Sequence, residues 1–381
     1  MADLPRLPLE LIFHIISSLL GDRRAILPPS RSATKALLAF TLVCRATHGV
    51  AANYLRDHCV HIDNDVRLRK LIYCVESTSS HAGSVTARAP ALLAAPSTGT
   101  SLHALTALYL APFGRGRGRG GGATLDDQPT AIWVRELFCL VRATLRRLVV
   151  DMPLRGLRPA DDHLGVRATL REAFGMLTAL EEFASVRDEL YLDVSEPEWR
   201  AVPGAPEPAV WASWPRLRRL ALYNAPADGV FWGAVAGMAA LETVVLTRAD
   251  CLEETCIKSE YLGTWSPAGH AGGETTGLGD VGEEGVEPPR PLKVVLVNVS
   301  NHHQPDQMAG RWKWDRVDPD NIMKVMTYDV PTSFYGDENP IDLCQDWVKT
   351  AALKGDIWDW EGPLVMGAPR AIQPAVFELE A

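Results

Sequence analysis

Cys251 and Cys256 stand in the run CLEETC, with Glu253 and Glu254 between them and His270 further along. Thiolates and imidazoles hold zinc as closely spaced pairs of the C-x-x-C kind. The step from Cys251 to Cys256 fits no such pair, and no local ligand completes a quartet, so no metal is expected. His302 and His303 adjoin. Neighbouring strand residues point to opposite faces, so the two read as surface-loop residues rather than joint ligands. The tract GRGRGRGGG at 114–122 sets three arginines among glycines, a composition that can touch RNA. It has no interleaved aromatics, and no Gly-Lys-Ser/Thr follows to form a phosphate loop. It reads as a flexible surface connection. No G-x-S-x-G, HExxH or kinase set occurs. These residues predict a non-catalytic chain with no cofactor. An α/β enzyme stays open only if scattered Ser, His and Asp side chains converge in space.

The chain has 381 residues, 47% hydrophobic, and a formal net charge of -9. That length supports two or three structural units. The acidic balance argues against non-specific nucleic-acid binding, which needs basic surface. Seven cysteines without a pairing pattern suit a reducing compartment. Asp3 and Glu10 interrupt the opening run, so no signal peptide is expected. No apolar stretch approaches the ~18 residues of a membrane span. The expected location is cytoplasmic, nuclear or both.

One segment shape recurs: LTALYL at 105–110, LRRLVV at 145–150, LRRLAL at 217–222, LETVVL at 241–246 and LKVVLV at 292–297, with a weaker LEEFAS at 180–185. All follow L-x-x-Φ-x-Φ, where Φ is apolar, five of the six fully, and the closing alternation predicts a short strand. Helical stretches precede several of them, at 132–144, 164–176 and 230–238. Helix then strand, repeated, predicts an irregular leucine-rich-repeat-like α/β solenoid over 63–381, with the five strong segments in one parallel sheet in chain order. The asparagine expected after each strand is mostly missing, with Asn224 and Asn298 the nearest cases. A three-layer α/β domain is the alternative, because buried parallel strands also read as apolar runs. The Gly-, Pro- and acid-rich run at 263–291 predicts a disordered insertion. Trp312, Trp314, Trp347, Trp358 and Trp360 crowd the C-terminal third and are expected mostly to cover the open end of the solenoid.

Arg146, Arg147, Arg218 and Arg219 occupy the x-x positions of the two LRRL segments. Guanidinium groups match carboxylates and phosphates well. They are therefore candidates for binding an acidic or phosphorylated peptide on the concave sheet face or the loops above it. Arg147 and Arg219 are expected to neighbour one another on successive strands. The alternative is a solvated face.

The N-terminus predicts helices. In LPLELIFHIISSLL at 7–20, Leu11, Ile12, Ile15, Ile16 and Leu19 recur at helical spacing, with Pro8 and Glu10 in the first turn. A second helix is expected over 35–45, a third over 46–58, and Val60 and Ile62 as a short extended segment.

The run Leu7-Pro8-x-Glu10-Leu11-Ile12, then Ile15 and Leu19, resembles the opening of the F-box family, and Leu38, Leu42 and Val43-Cys44-Arg45 resemble its later motif. The tryptophan that often follows that triplet is replaced by Ala46-Thr47-His48. The resemblance covers residues 4–62. It implies a three-helix unit over 1–62 that docks on a Skp1-type adaptor, and through it a cullin, with the rest of the chain receiving an unidentified protein substrate. The implied role is the substrate-recognition subunit of a ubiquitin ligase. Leu7, Pro8, Leu11, Ile12, Ile15 and Val43 are the candidate adaptor-binding residues. Without the family, the same helices read as a cap on a stand-alone α/β scaffold.

Overall fold

A computed structural model describes residues 7–20, 24–82, 105–113, 124–195, 207–263, 290–298, 305–333 and 337–365. The arginine-glycine tract, His270, His302, His303 and nearly all of 263–291 lie outside the described residues.

Three helices open the chain: α1 (Leu9–Ser18), α2 (Ser32–Phe40) and α3 (Arg45–His58). Pro8 is the N-cap of α1 and sits in extended backbone. Helix α2 stops at Phe40, earlier than the pattern 35–45 suggests. A turn then delivers Cys44 to the N-cap of α3, where its N–H donates to Thr47 Oγ1 at 3.2 Å. The three helices bury Ile16, Leu20, Leu37 and Ala51 among themselves, with Ile12, Phe40 and Tyr54 half-buried around them.

The remainder is α/β. Eight strands form a single sheet, all parallel and in strict chain order: β1 (His61–Ile62), β2 (Ala107–Leu110), β3 (Arg147–Val150), β4 (Glu182–Ser185), β5 (Arg219–Tyr223), β6 (Thr243–Thr247), β7 (Leu292–Asn298) and β8 (Met323–Asp329). The five strong L-x-x-Φ-x-Φ segments are there, and so is the weak one, as β4. Strand order never reverses, unlike a doubly wound sheet. The connections carry α4 (Asp65–Ala82), α5 (Gln128–Val141), α6 (Val166–Gly175), α7 (Gly229–Ala236), α8 (Ile257–Gly263), α9 (Pro305–Trp312) and α10 (Trp314–Val317). Between β4 and β5 the described connection holds only a short 3-10 turn, Val210–Ser213.

Both sheet faces are apolar. One register row is Leu108, Leu148, Phe183, Leu220, Val244, Val294 and Val325. It packs with the buried faces of the connecting helices in one core. The opposite row is Tyr109, Val149, Ala184, Ala221, Val245 and Val295, and it belongs to a second core. Helix α11 (Pro340–Lys354) covers this second face with Cys344, Val348, Ala351 and Ala352. The alanines of β4 and β5 leave room for a helix to lie close. Asn339 caps α11 by accepting from Ile341 N–H at 2.9 Å. Gly355 ends it in the left-handed region, where its missing side chain lets Arg24 approach.

The tryptophans serve both layers, and Trp347 and Trp360 meet Tyr328 on the last strand, β8. Trp314 is buried in the helix-side core and Trp312 packs against it. Trp358 and Trp360 are buried on the second face with Trp347 beside them.

One ion pair is fully enclosed. Lys258 Nζ of α8 lies 2.8 Å from Asp318 Oδ2 and 2.9 Å from Asn321 Oδ1. Asp318 also accepts from Ile322 and Met323 N–H groups at 2.7 and 3.0 Å, tying α8 to the entry of β8. Lys258→Met leaves a buried carboxylate without its cation and should cost about 3–5 kcal/mol in urea unfolding. Lys258→Met combined with Asp318→Asn should recover part of that loss.

Candidate functional site

Helix α1 is apolar on two sides, so one stripe is left over after the helix packs. Ile16 and Leu20 point into the three-helix core and Ile12 is half-buried against it. Leu11 and Ile15, one turn apart, are exposed, and Leu7 and Pro8 are exposed just before them. Leu38 and Val43 are exposed too, and Leu42 is 87% exposed. Among the described residues seven of the thirteen exposed large apolar residues fall between Leu7 and Val43, so the excess is local. Leaving such a side chain in water rather than burying it costs about 1.5–3 kcal/mol. Of the six candidate residues, five are on this outer surface. Ile12 also serves the internal core.

The four arginines have another employment. Arg147 and Arg219 are not neighbours, because β4 lies between their strands and places Glu182 opposite both. Arg219 pairs with Glu182 at 2.7 Å. One position earlier, Arg146 pairs with Glu181 at 2.5 Å and Arg218 with Glu242 at 2.7 Å. The segments LRRL, LEEF, LRRL and LETV thus alternate in charge across the amino ends of the strands. Arg147 donates to the Arg24 carbonyl, joining the sheet to the N-terminal unit. These guanidinium groups satisfy the chain's own acceptors, and the sheet face once expected to receive a ligand is covered by α11.

Helix α11 is fixed by a buried charge cluster at the carboxyl end of β3. Asp151 accepts from Tyr109 Oη at 2.7 Å and from Lys349 Nζ at 2.7 Å, and it also pairs with Arg187. Arg187 reaches Gln345 of the helix at 3.2 Å. Burial opposes ionisation of Asp151, but the Lys349 bond and charge, with Arg187 and Tyr109, hold it well below the usual carboxylate range. His61 stacks on Tyr109 with ring centroids 4.1 Å apart. Its burial, helped by Lys349 and Arg67 and opposed by Asp63, lowers it to about 4.

The loops beyond β3 and β4 are pinned in a similar way. Buried Asp188 accepts from the N–H groups of Leu154 at 2.6 Å and Leu190 at 2.9 Å. Burial, reinforced by Glu189, raises it to about 7. Buried Arg167 donates to the Leu157 carbonyl at 2.5 Å and the Tyr191 carbonyl at 3.1 Å, and lies over the Tyr191 ring.

Among the described residues no group of three or more His, Cys, Asp or Glu could hold a metal ion. Cys256 is buried and accepts from Ser259 Oγ. An open groove beside α6 is lined by Arg171, Pro208, Ala209, Val210 and Ala212, with neither histidine nor carboxylate in its wall. No described helix is long and apolar enough to cross a membrane.

Sequence reasoning missed β8 and α11. Signals existed: Met323 and Val325 alternate, Pro340 opens a helix, and Cys344, Val348, Ala351 and Ala352 recur at helical spacing. No family model, curated protein or solved structure matches the chain.

The cluster at β2 and β3 has a defined acid response. His61 titrates near 4 in the fold against ~6.5 in an unfolded chain. Between these values only the unfolded state takes up the proton, so stability falls as pH drops from about 6.5 to 4. Asp151, depressed, adds a loss of the same sign at lower pH. Asp188, raised, acts oppositely between about 4 and 7. The His61 share is therefore read as a difference. His61→Phe keeps the stack on Tyr109 and removes the titration. Its stability relative to wild type should rise steadily from pH 7 to 4 in chemical denaturation, and a flat difference would contradict this origin.

Proposed function

We propose that the chain is a non-catalytic substrate-recognition adaptor of a Skp1-cullin-F-box type ubiquitin ligase. Its N-terminal three helices bind a Skp1-type adaptor protein, and its leucine-rich-repeat-like α/β domain receives a protein substrate. The observation that carries this reading is that Leu7, Leu11 and Ile15, and in the same three-helix unit Leu38, Leu42 and Val43, are exposed although α1 already buries its other side. A helix apolar on two sides needs two partners, and the described residues supply one. An apolar groove on an adaptor is the complement, as in helix-in-groove recognition. The strictly sequential parallel sheet, with helices in its crossovers, supports a repeat-like receptor.

The competing reading makes the three helices a cap on a stand-alone α/β scaffold. A cap turns its apolar side inward. Here the segment after α1 docks on the second sheet face, with Ile26 buried in that core, Ile26 N–H donating to Leu353 O at 2.6 Å and Arg24 pairing with Asp359 at 2.9 Å, while Leu11 and Ile15 of α1 stay exposed.

Co-expression with Skp1 and pull-down tests the proposal. Leu11→Asp with Ile15→Asp places charges on the outer stripe alone and should abolish capture while the melting temperature holds. Ile12 is a poorer probe, because it also packs inside. Burying an unpaired carboxylate in an apolar groove costs several kcal/mol, enough to remove binding from a micromolar complex. Wild-type chain that fails to capture Skp1, or a double variant that captures it equally well, would reject the adaptor role.

A further inference from the structure

The outer edge of β8 is closed by the chain's own C-terminal segment. Residues 362–365 run beside it, with Leu364 opposite Met326 in antiparallel sense. Val365 N–H donates to Val325 O at 2.9 Å, and Thr327 N–H donates to Pro363 O at 3.2 Å. On the second sheet face Trp360 stacks on Tyr328, with centroids 4.2 Å apart and planes 6° apart. Val365 is buried in the helix-side core. Between these anchors Gly362 lies so close to the strand that a Cβ there would overlap the Thr327 carbonyl oxygen.

An open edge strand presents unpaired backbone groups to any extended chain. The covering segment is a poor strand for this task. Pro363 has no N–H to give to the ladder, and glycine is a weak strand former. Strand β8 spans Met323–Asp329, and among the described residues the cover meets it over Pro363, Leu364 and Val365. The cover succeeds because it is tethered: a short link gives it an effective concentration of about millimolar. A free peptide with a full set of N–H groups pairs better but meets that tethered competitor.

We propose that the outer edge of β8 is a peptide-binding site occupied in cis by Gly362–Val365. The ligand class is an extended, uncharged peptide that joins antiparallel to β8 as a ninth strand. A β-branched aliphatic side chain of the peptide takes the place of Val365, and backbone hydrogen bonds supply the rest of the affinity. The C-terminal segment is then a displaceable guard, keeping the edge shut until it is released. This gives the adaptor reading a class of substrate segment. Its assay contains no Skp1, so failure here and failure of that reading are distinguishable.

Gly362→Ala in the full chain tests the idea, since the clash is with strand backbone that cannot step aside. The probes are fluorescein-labelled peptides with the sequence of residues 361–368, one native and one carrying Pro363→Val to restore an N–H. By fluorescence anisotropy Gly362→Ala should bind the native peptide at least ~10-fold more tightly than wild type does. The Pro363→Val peptide should bind more tightly still. A second variant, ending at Glu361 and so keeping Trp358 and Trp360, should behave like Gly362→Ala. Folded variants that leave anisotropy unchanged would overturn the proposal. So would variants that self-associate without binding peptide, since the edge would then suit a second copy of the chain. Loss of folding in both variants would also overturn it, because the segment would be a fixed structural part rather than a guard.

Discussion

A parallel sheet that is apolar on both faces must be covered on both, and most of the structure answers that requirement. One face is roofed by the crossover helices, which the chain has to make anyway to keep successive strands parallel. The other has no such automatic cover. The register row Tyr109, Val149, Ala184, Ala221, Val245, Val295 would meet water if the chain stopped after β8. Helix α11 and the tryptophans after it take that place. Because the helix must be held in one orientation on a smooth apolar surface, polar anchors appear at its ends. Lys349 meets Asp151 near the carboxyl ends of the strands, and Leu353 meets Ile26 near the amino ends.

The same cover explains the fate of the arginines. At the amino ends of β3 to β6 charged side chains of successive strands come close to one another. Alternation of Arg146, Glu181, Arg218 and Glu242 turns that crowding into attraction. Such pairs are exposed, and each adds no more than about 1 kcal/mol. Their larger effect is to favour one strand register over its slipped alternatives, because a slip would set like charges opposite one another.

Much of the fold was legible in the sequence, and for local reasons. A buried parallel strand writes its own apolar run, so 105–110, 145–150, 217–222, 241–246 and 292–297 could be read directly. The segment at 180–185 ends on Ser185 instead of an apolar residue and so reads weakly, and without it Arg147 and Arg219 fall on adjacent strands, whereas β4 separates them. Helix α11 escaped for a different reason. Its apolar spacing marks a helix, yet nothing in a helix says which of two sheet faces it will cover. The N-terminal surface was legible in part: spacing identified the apolar positions, but only packing separates Leu11 and Ile15 outside from Ile16 inside, with Ile12 between.

The exposed apolar residues of α1 and the α2 end stand out by their concentration rather than by being alone. The sheet hides both faces and one edge, the buried Lys258 and Asp318 neutralise each other, and the first turns beyond β3 and β4 satisfy their N–H groups on Asp188. Elsewhere in the described residues large apolar side chains are exposed singly, as at Val66, Tyr73, Leu164 and Val230, whereas Leu7, Leu11, Ile15, Leu38, Leu42 and Val43 fall within one small three-helix unit. Local helix formation does not require them, since alanine or lysine serves an exposed helical position as well or better. Nor does the three-helix core, which Ile16, Leu20, Leu37 and Ala51 already fill. A partner surface that accepts an apolar helix face is what the proposed adaptor would supply.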